Sequence, residues 1–125
     1  MTTHSCLLCL GSNFDRTTHI ASARRDLEKH FPGIRFGIEM ETEAIGDKFL
    51  SPFCNQVALL RTPLSAQEVR TLLKRIEQNH GRMPEDKAQG IVKLDIDLLK
   101  YDDVVLKPAD LDKPYVLAGM EELGI

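Results

Sequence analysis

The stretch "KLDIDLLKYDD", residues 93–103, alternates apolar and acidic residues before it turns fully polar. In an extended segment successive side chains point to opposite faces, so Leu94, Ile96 and Leu98 share one face and Asp95 and Asp97 the other. The segment reads as a strand whose oily side needs a packed layer against it. Its acidic side has two readings. Carboxylates at i and i+2 lie ~6–7 Å apart at Cα, where their repulsion is about 2–3 kcal/mol at an effective dielectric near 20 and under about 1 kcal/mol in water. Solvent alone tolerates that. A hard divalent cation such as Mg²⁺ would instead use the pair as ligands and complete its shell with water and phosphate oxygens.

The rest of the chain decides what the oily side packs against. "SCLLCL" (5–10) is a buried first strand stopped by "GSN" (11–13). Ile20, Ala23, Arg24, Leu27 and Phe31 then share a helical face, with Asp15 or Thr17 as caps and Pro32-Gly33 as the stop. "IRFGIEMETE" (34–43) alternates, with Ile34, Phe36, Ile38 and Met40 on one side, and predicts one half-buried strand. A loop rich in Gly, Asp, Lys, Ser and Pro leads to a third strand, "FCNQVALLR" (53–61), interrupted by Asn55. Ser65 to Glu68 spell a capping box, followed by the stripe Val69, Leu72, Leu73 and Ile76 and a stop at Gly81. The polar connection "RMPEDKAQGIV" (82–92) enters the acidic strand, Tyr101-Asp102-Asp103 turns into a short strand at 104–106, and a short helix is expected from Tyr115. The order β, α, β, β, α, β is that of an α+β, ferredoxin-like antiparallel sheet with both helices on one face and a small C-terminal extension. Asp95 and Asp97 then face the other side, where the loops at 42–52 and 82–92 are long enough to act as lids.

A chain of 125 residues, 42% hydrophobic and 28% charged, suits one globular domain spanning 1–125. The net charge of −3 argues against a general nucleic-acid binder, so an anionic ligand needs locally placed cations. No apolar run has the length of a membrane span and the N-terminus lacks the features of a signal peptide, which leads to the expectation of a cytoplasmic protein without a membrane partner. Cys6, Cys9 and Cys54 are an odd number, and "CLLC" at 6–9 puts its two thiols on opposite strand faces, so structural thiols are expected. The four histidines show no short metal-ligand spacing. Neither the Walker loop nor the dinucleotide-binding glycine fingerprint occurs, so a phosphate site here must be built differently.

"LGSN" (10–13), "FCNQV" (53–57), "RIEQNHGR" (75–82) and "KLDIDLL" (93–99) follow one another in an order and spacing that resemble the 6-hydroxymethyl-7,8-dihydropterin pyrophosphokinase family. The resemblance runs from Leu7 to about Asp103. It implies a transferase of folate biosynthesis that moves the terminal diphosphate of ATP to the hydroxymethyl group of a reduced pterin and releases AMP. Its partners would be these two small molecules, with ATP as co-substrate and two Mg²⁺ ions as cofactors. By resemblance Asp95 and Asp97 are the metal ligands and, with Arg82, the catalytic set; Glu77, Arg82, Lys93 and Leu98 surround the nucleotide. Thr42, Ile45, Phe53, Asn55 and Tyr115 fall at pterin-binding positions, Thr42 and Ile45 through the path of the backbone. Taken alone, Glu77 also reads as a surface helix carboxylate, Asn55 as a strand-end residue bonding the backbone, and Phe53 as core.

The family carries further arginines and a Trp-Gly-Pro-Arg-like stretch before the acidic strand, where this chain has Pro84 and "QGIVK" (89–93), with Lys87 and Lys93 as the nearest cations. Two missing phosphate-binding arginines amount to roughly 3–6 kcal/mol of charge-assisted hydrogen bonding. After Asp103 the tail is shortened, with Lys113 and Tyr115 near the positions of a family arginine and stacking aromatic. The rival reading is therefore a repurposed ferredoxin-like module that binds pterin or nucleotide without efficient transfer; a purely structural subunit is a third.

Overall fold

The computed structural model describes residues 2–43 and 52–125. Among these the order is β1 (His4–Ser12), α1 (Arg16–His30), β2 (Arg35–Phe36), β3 (Met40–Thr42), β4 (Phe53–Thr62), α2 (Ala66–Asn79), a 3-10 turn (Pro84–Gln89), β5 (Asp95–Tyr101), β6 (Val104–Val105), α3 (Pro108–Leu111) and α4 (Pro114–Glu122). The strands form one antiparallel sheet in the order β2-β4-β1-β5-β6, with β3 also paired to β4. This is the ferredoxin-like order, in which the first strand lies between the third and the last of the motif.

Alternation sorts the two faces. Cys6, Leu8 and Leu10 of β1, Ala58 and Leu60 of β4, and Ile96 and Leu98 of β5 pack with Ile20, Ala23 and Leu27 of α1 and Val69, Leu73 and Ile76 of α2. Leu94, just before β5, joins them as expected. α2 starts where its sequence says: Ser65 Oγ accepts from the Glu68 amide at 3.1 Å and Glu68 Oε1 accepts from the Ser65 amide at 3.0 Å. α1 is capped less well, because Asp15 occupies the cap position in the left-handed region, φ 45°, and its side chain makes no capping bond. The other face is not left open. Leu7, Val57 and Leu99 form a second core with Val116 and Leu123 of the C-terminal segment, so the tail is a packed layer over half of the sheet.

That layer explains why the predicted strand at 34–43 is divided. Phe36 is opposite Ala58 while Met40 is opposite Asn55, four steps on one strand against three on the other, which is a bulge of one residue. Within it the Gly37 amide donates to Val57 O at 2.8 Å and Gln56 Nε2 donates to Gly37 O at 2.8 Å. Ile38, expected on the inner side, is 54% exposed. α4 is seated directly on this region: a Cβ on Gly119 would lie 2.8 Å from Val57 Cβ, and one on Gly37 would lie 3.2 Å from Gly119 Cα. Glycine at 119 is what lets helix and strand approach so closely. Among the described residues no helix is long and apolar enough to cross a membrane.

Candidate active site

Between the loop at 82–92 and the C-terminal layer the second face opens into a cleft of about 500 Å³. Its floor is set by strand register. Asn55 of β4, Gly11 of β1 and Asp95 of β5 are direct partners across three neighbouring strands, and Cys9 pairs with Asp97 two residues along. Adjacent strands are ~4.8 Å apart, so the Asn55 and Asp95 backbones are separated by roughly 10 Å. Gly11 leaves that interval empty of side chain; even a Cβ there would come within 3.3 Å of Asn55 Oδ1. The "LGSN" glycine thus forms the floor between a neutral amide and a carboxylate.

At the neutral end Phe53, Asn55 and Thr42 line the cleft. Asn55 is 7% exposed and its Nδ2 donates to Thr42 Oγ1 at 2.7 Å. Thr42 was expected to matter through its backbone; its hydroxyl instead orients the asparagine. Tyr115, the first turn of α4, lines the wall next to this floor, with Lys113 Nζ 5.9 Å from the centre of its ring. Ile45 lies outside the described residues.

At the charged end Asp95 and Asp97 point into the cleft. Burial, followed by the nearby Glu77 carboxylate, holds the Asp95 carboxyl above its usual range, with Arg82 opposing. Asp97 is pushed up to about 6 by burial and then by Asp95, with Lys107 opposing. Arg82 Nη1 donates to Glu77 Oε1 at 2.8 Å and stands 3.7 Å from Asp95 Oδ1. Glu77 is not the surface carboxylate that helical position alone suggests: it is 5% exposed, and its Oε2 accepts from the Ile96 amide at 2.8 Å. Beyond β6 the edge of β5 is uncovered, and Glu77 supplies the acceptor this amide would otherwise lack.

Lys93 lines the cleft as expected, with its Nζ donating to Gly81 O at 2.8 Å and lying 3.5 Å from Asp86 Oδ2. Lys87 also lines it and has no ion pair among the described residues. Leu98 is the expected site residue that the fold takes elsewhere, since the same alternation that exposes Asp97 buries it at 4% in the helix-side core. Lys113, expected near the position of a family arginine, also lines the cleft and pairs at 2.8 Å with Asp110, a lining residue of the tail that the sequence did not single out. Gly11 was read with Ser12 and Asn13 as the stop of the first strand, but β1 runs through it to Ser12, and a glycine directly after an apolar run is the signal that could have placed it inside a strand. The Cys9 thiol on the floor is pushed up to about 12 by burial and the two aspartates, so it stays neutral and unreactive, and all three cysteines are free.

The sequence matches the family of 7,8-dihydro-6-hydroxymethylpterin-pyrophosphokinase (HPPK) across residues 7–124. It is 33% identical over 109 residues to the 2-amino-4-hydroxy-6-hydroxymethyldihydropteridine pyrophosphokinase of Aquifex aeolicus (strain VF5), covering 86% of this chain and 68% of that protein. Among solved structures it is similar to the C-terminal domain of the MgtC protein from Mycobacterium tuberculosis, at 9% identity and a TM-score of 0.43 over 76% of this chain and 86% of that one. A de novo designed protein with ferredoxin fold gives 13% identity and a TM-score of 0.33 over 80% and 87%. At such scores the fold assignment rests on the strand order itself. With a family match that spans both layers of the sheet and the whole cleft, the chain belongs to the 7,8-dihydro-6-hydroxymethylpterin-pyrophosphokinase family.

Proposed function

We propose that the chain transfers the terminal diphosphate of ATP to the hydroxymethyl group of 6-hydroxymethyl-7,8-dihydropterin, releasing AMP. The observation that carries this reading is the row Asn55, Gly11, Asp95, which sets a donor-acceptor amide and an acidic pair at the two ends of one glycine floor. An amide suits the mixed donor and acceptor edge of a pterin ring. Phe53 and Tyr115 supply aromatic surface to the cleft, on which a flat bicyclic ring would stack.

Mg²⁺ fits the other end. The donors are two hard carboxylates that burial first, and then a neighbouring carboxylate, holds above their usual range. Such a donor set suits an ion that draws its remaining ligands from water and phosphate. Asp95 and Asp97 would hold it, and when bound it supplies charge neutralisation on the transferring group. The chain's own residues do the rest. Arg82, steered by Glu77, and Lys87 and Lys93 offer cations to phosphate oxygens, while Asn55 and the aromatics hold the hydroxymethyl group towards Asp95. Catalysis is then positioning and electrostatics, with no covalent nucleophile required.

The alternative of a binding module has one observation in its favour: Arg82, Lys93 and Lys113 are already paired with Glu77, Asp86 and Asp110. Incubating the protein with the pterin, ATP and Mg²⁺ and measuring AMP separates the two. AMP formed by the wild type and not by Asp95→Asn/Asp97→Asn supports transfer; pterin binding without AMP would leave the module.

A further inference from the structure

We infer that Asn13, the last residue of the "LGSN" stretch, is a positioning residue that pins residues 90–92 as a wall of the cleft beside Asp95. Asn13 is 3% exposed and directly follows β1. Its Nδ2 donates to Gly90 O at 2.8 Å, its Oδ1 accepts from the Val92 amide at 2.6 Å, and its own amide donates to Val92 O at 2.9 Å. Residues 91–94 run outside the sheet, so their backbone groups lack ladder partners. One asparagine offers donor and acceptor on a short stem and meets both needs, which a carboxylate or hydroxyl would meet only in part.

The segment it holds is functional surface. Gly90, Ile91, Val92 and Lys93 all line the cleft, and Lys93 stands two residues before Asp95. The connection from α2 to β5 is thereby fixed at both ends: Arg82 is tied to Glu77 at the first, and Val92 to Asn13 at the second. Lys93 reaches back to Gly81 O and closes the span. Without Asn13 the second end is loose, and Lys93 and the approach to Asp95 lose their fixed place. Phe53 and Asn55 stand on β4, which Asn13 does not hold in place by these bonds. The role is therefore one-sided, serving the nucleotide end and sparing the pterin end. For the identity of the ligands this rests on the pyrophosphokinase reading.

The test uses the full chain as wild type, Asn13→Ala and the milder Asn13→Ser, which keeps the main-chain bond and a short hydroxyl. Backbone hydrogen exchange is measured without ligand, and dissociation constants are measured separately for a Mg²⁺-bound non-hydrolysable ATP analogue and for 6-hydroxymethyl-7,8-dihydropterin. In whichever variant folds, exchange of the Val92 amide should rise about tenfold or more while β1 and β4 amides keep their protection, and the nucleotide constant should weaken about tenfold with the pterin constant within about twofold. Equal weakening of both ligands, weakening of the pterin alone, or unchanged Val92 protection would overturn the inference. If the wild type binds neither ligand the functional reading fails, and exchange at Val92 alone decides whether Asn13 pins the wall.

Discussion

The two faces of β5 differ in what each residue is for. Ile96 and Leu98 are 4% exposed and sit in a core of aliphatic side chains, where identity matters through volume. Asp95 and Asp97, one residue away in each case, sit in a cleft where burial first, then Glu77 beside Asp95 and Asp95 beside Asp97, raises the carboxyls above their usual range. The same backbone thus carries a face that stabilises the fold and a face held at an energetic cost. Carboxylates kept under such a cost mark a site that a cation would relieve.

Four changes would break or sharpen that contrast. The largest effect is expected on the cleft face: Asp95→Asn/Asp97→Asn should lower the rate of AMP formation by about 10³ or more while leaving the melting temperature equal or higher, as read by turnover and thermal unfolding. The core face should give the opposite pattern. Ile96→Ala should cost about 2–4 kcal/mol in denaturant unfolding, with the activity of the folded fraction retained. Glu77 spans both faces, so Glu77→Ala should show both losses: about 1–3 kcal/mol of stability from the unpaired Ile96 amide, and a weaker nucleotide constant because Arg82 is no longer held.

The smallest effect is electrostatic. Because the Asp97 carboxyl is raised from 3.8 to about 6, the folded chain binds more protons than the unfolded one between these values. Stability from this group is full at low pH and is lost as pH rises through about 6. Metal-free wild type should lose stability relative to Asp97→Asn between about pH 4 and 7.5 by on the order of 1 kcal/mol, a figure reduced for solvent screening because the partner carboxylate of Asp95 is 40% exposed. Denaturant midpoints of both proteins across this range check it, and parallel curves would contradict it.

What the chain reveals locally is what alternation, capping and glycine stops encode. The faces of β5 and the start of α2 at Ser65 were legible in this way, whereas Phe53 and Asn55, which share the cleft with Asp95 and Asp97, were singled out only by the family resemblance. The division of β2 from β3 was not, because a one-residue bulge depends on how α4 meets Val57, some eighty residues after Gly37. Nor was the glycine floor, since the row through Asn55, Gly11 and Asp95 is a matter of register between distant strands. Leu98, named by the resemblance as a position beside the nucleotide, has its side chain in the helix-side core, as the strand period requires.

The measurement that bears most directly on the two-ended floor is a crossed binding experiment on Asn55→Ala and Asp95→Asn. Each would be titrated by calorimetry with the pterin and, separately, with a Mg²⁺-bound non-hydrolysable ATP analogue. The glycine row predicts that Asn55→Ala weakens the pterin about tenfold or more and spares the nucleotide, while Asp95→Asn does the reverse. Equal losses of both ligands in each variant, or loss in neither, would contradict it.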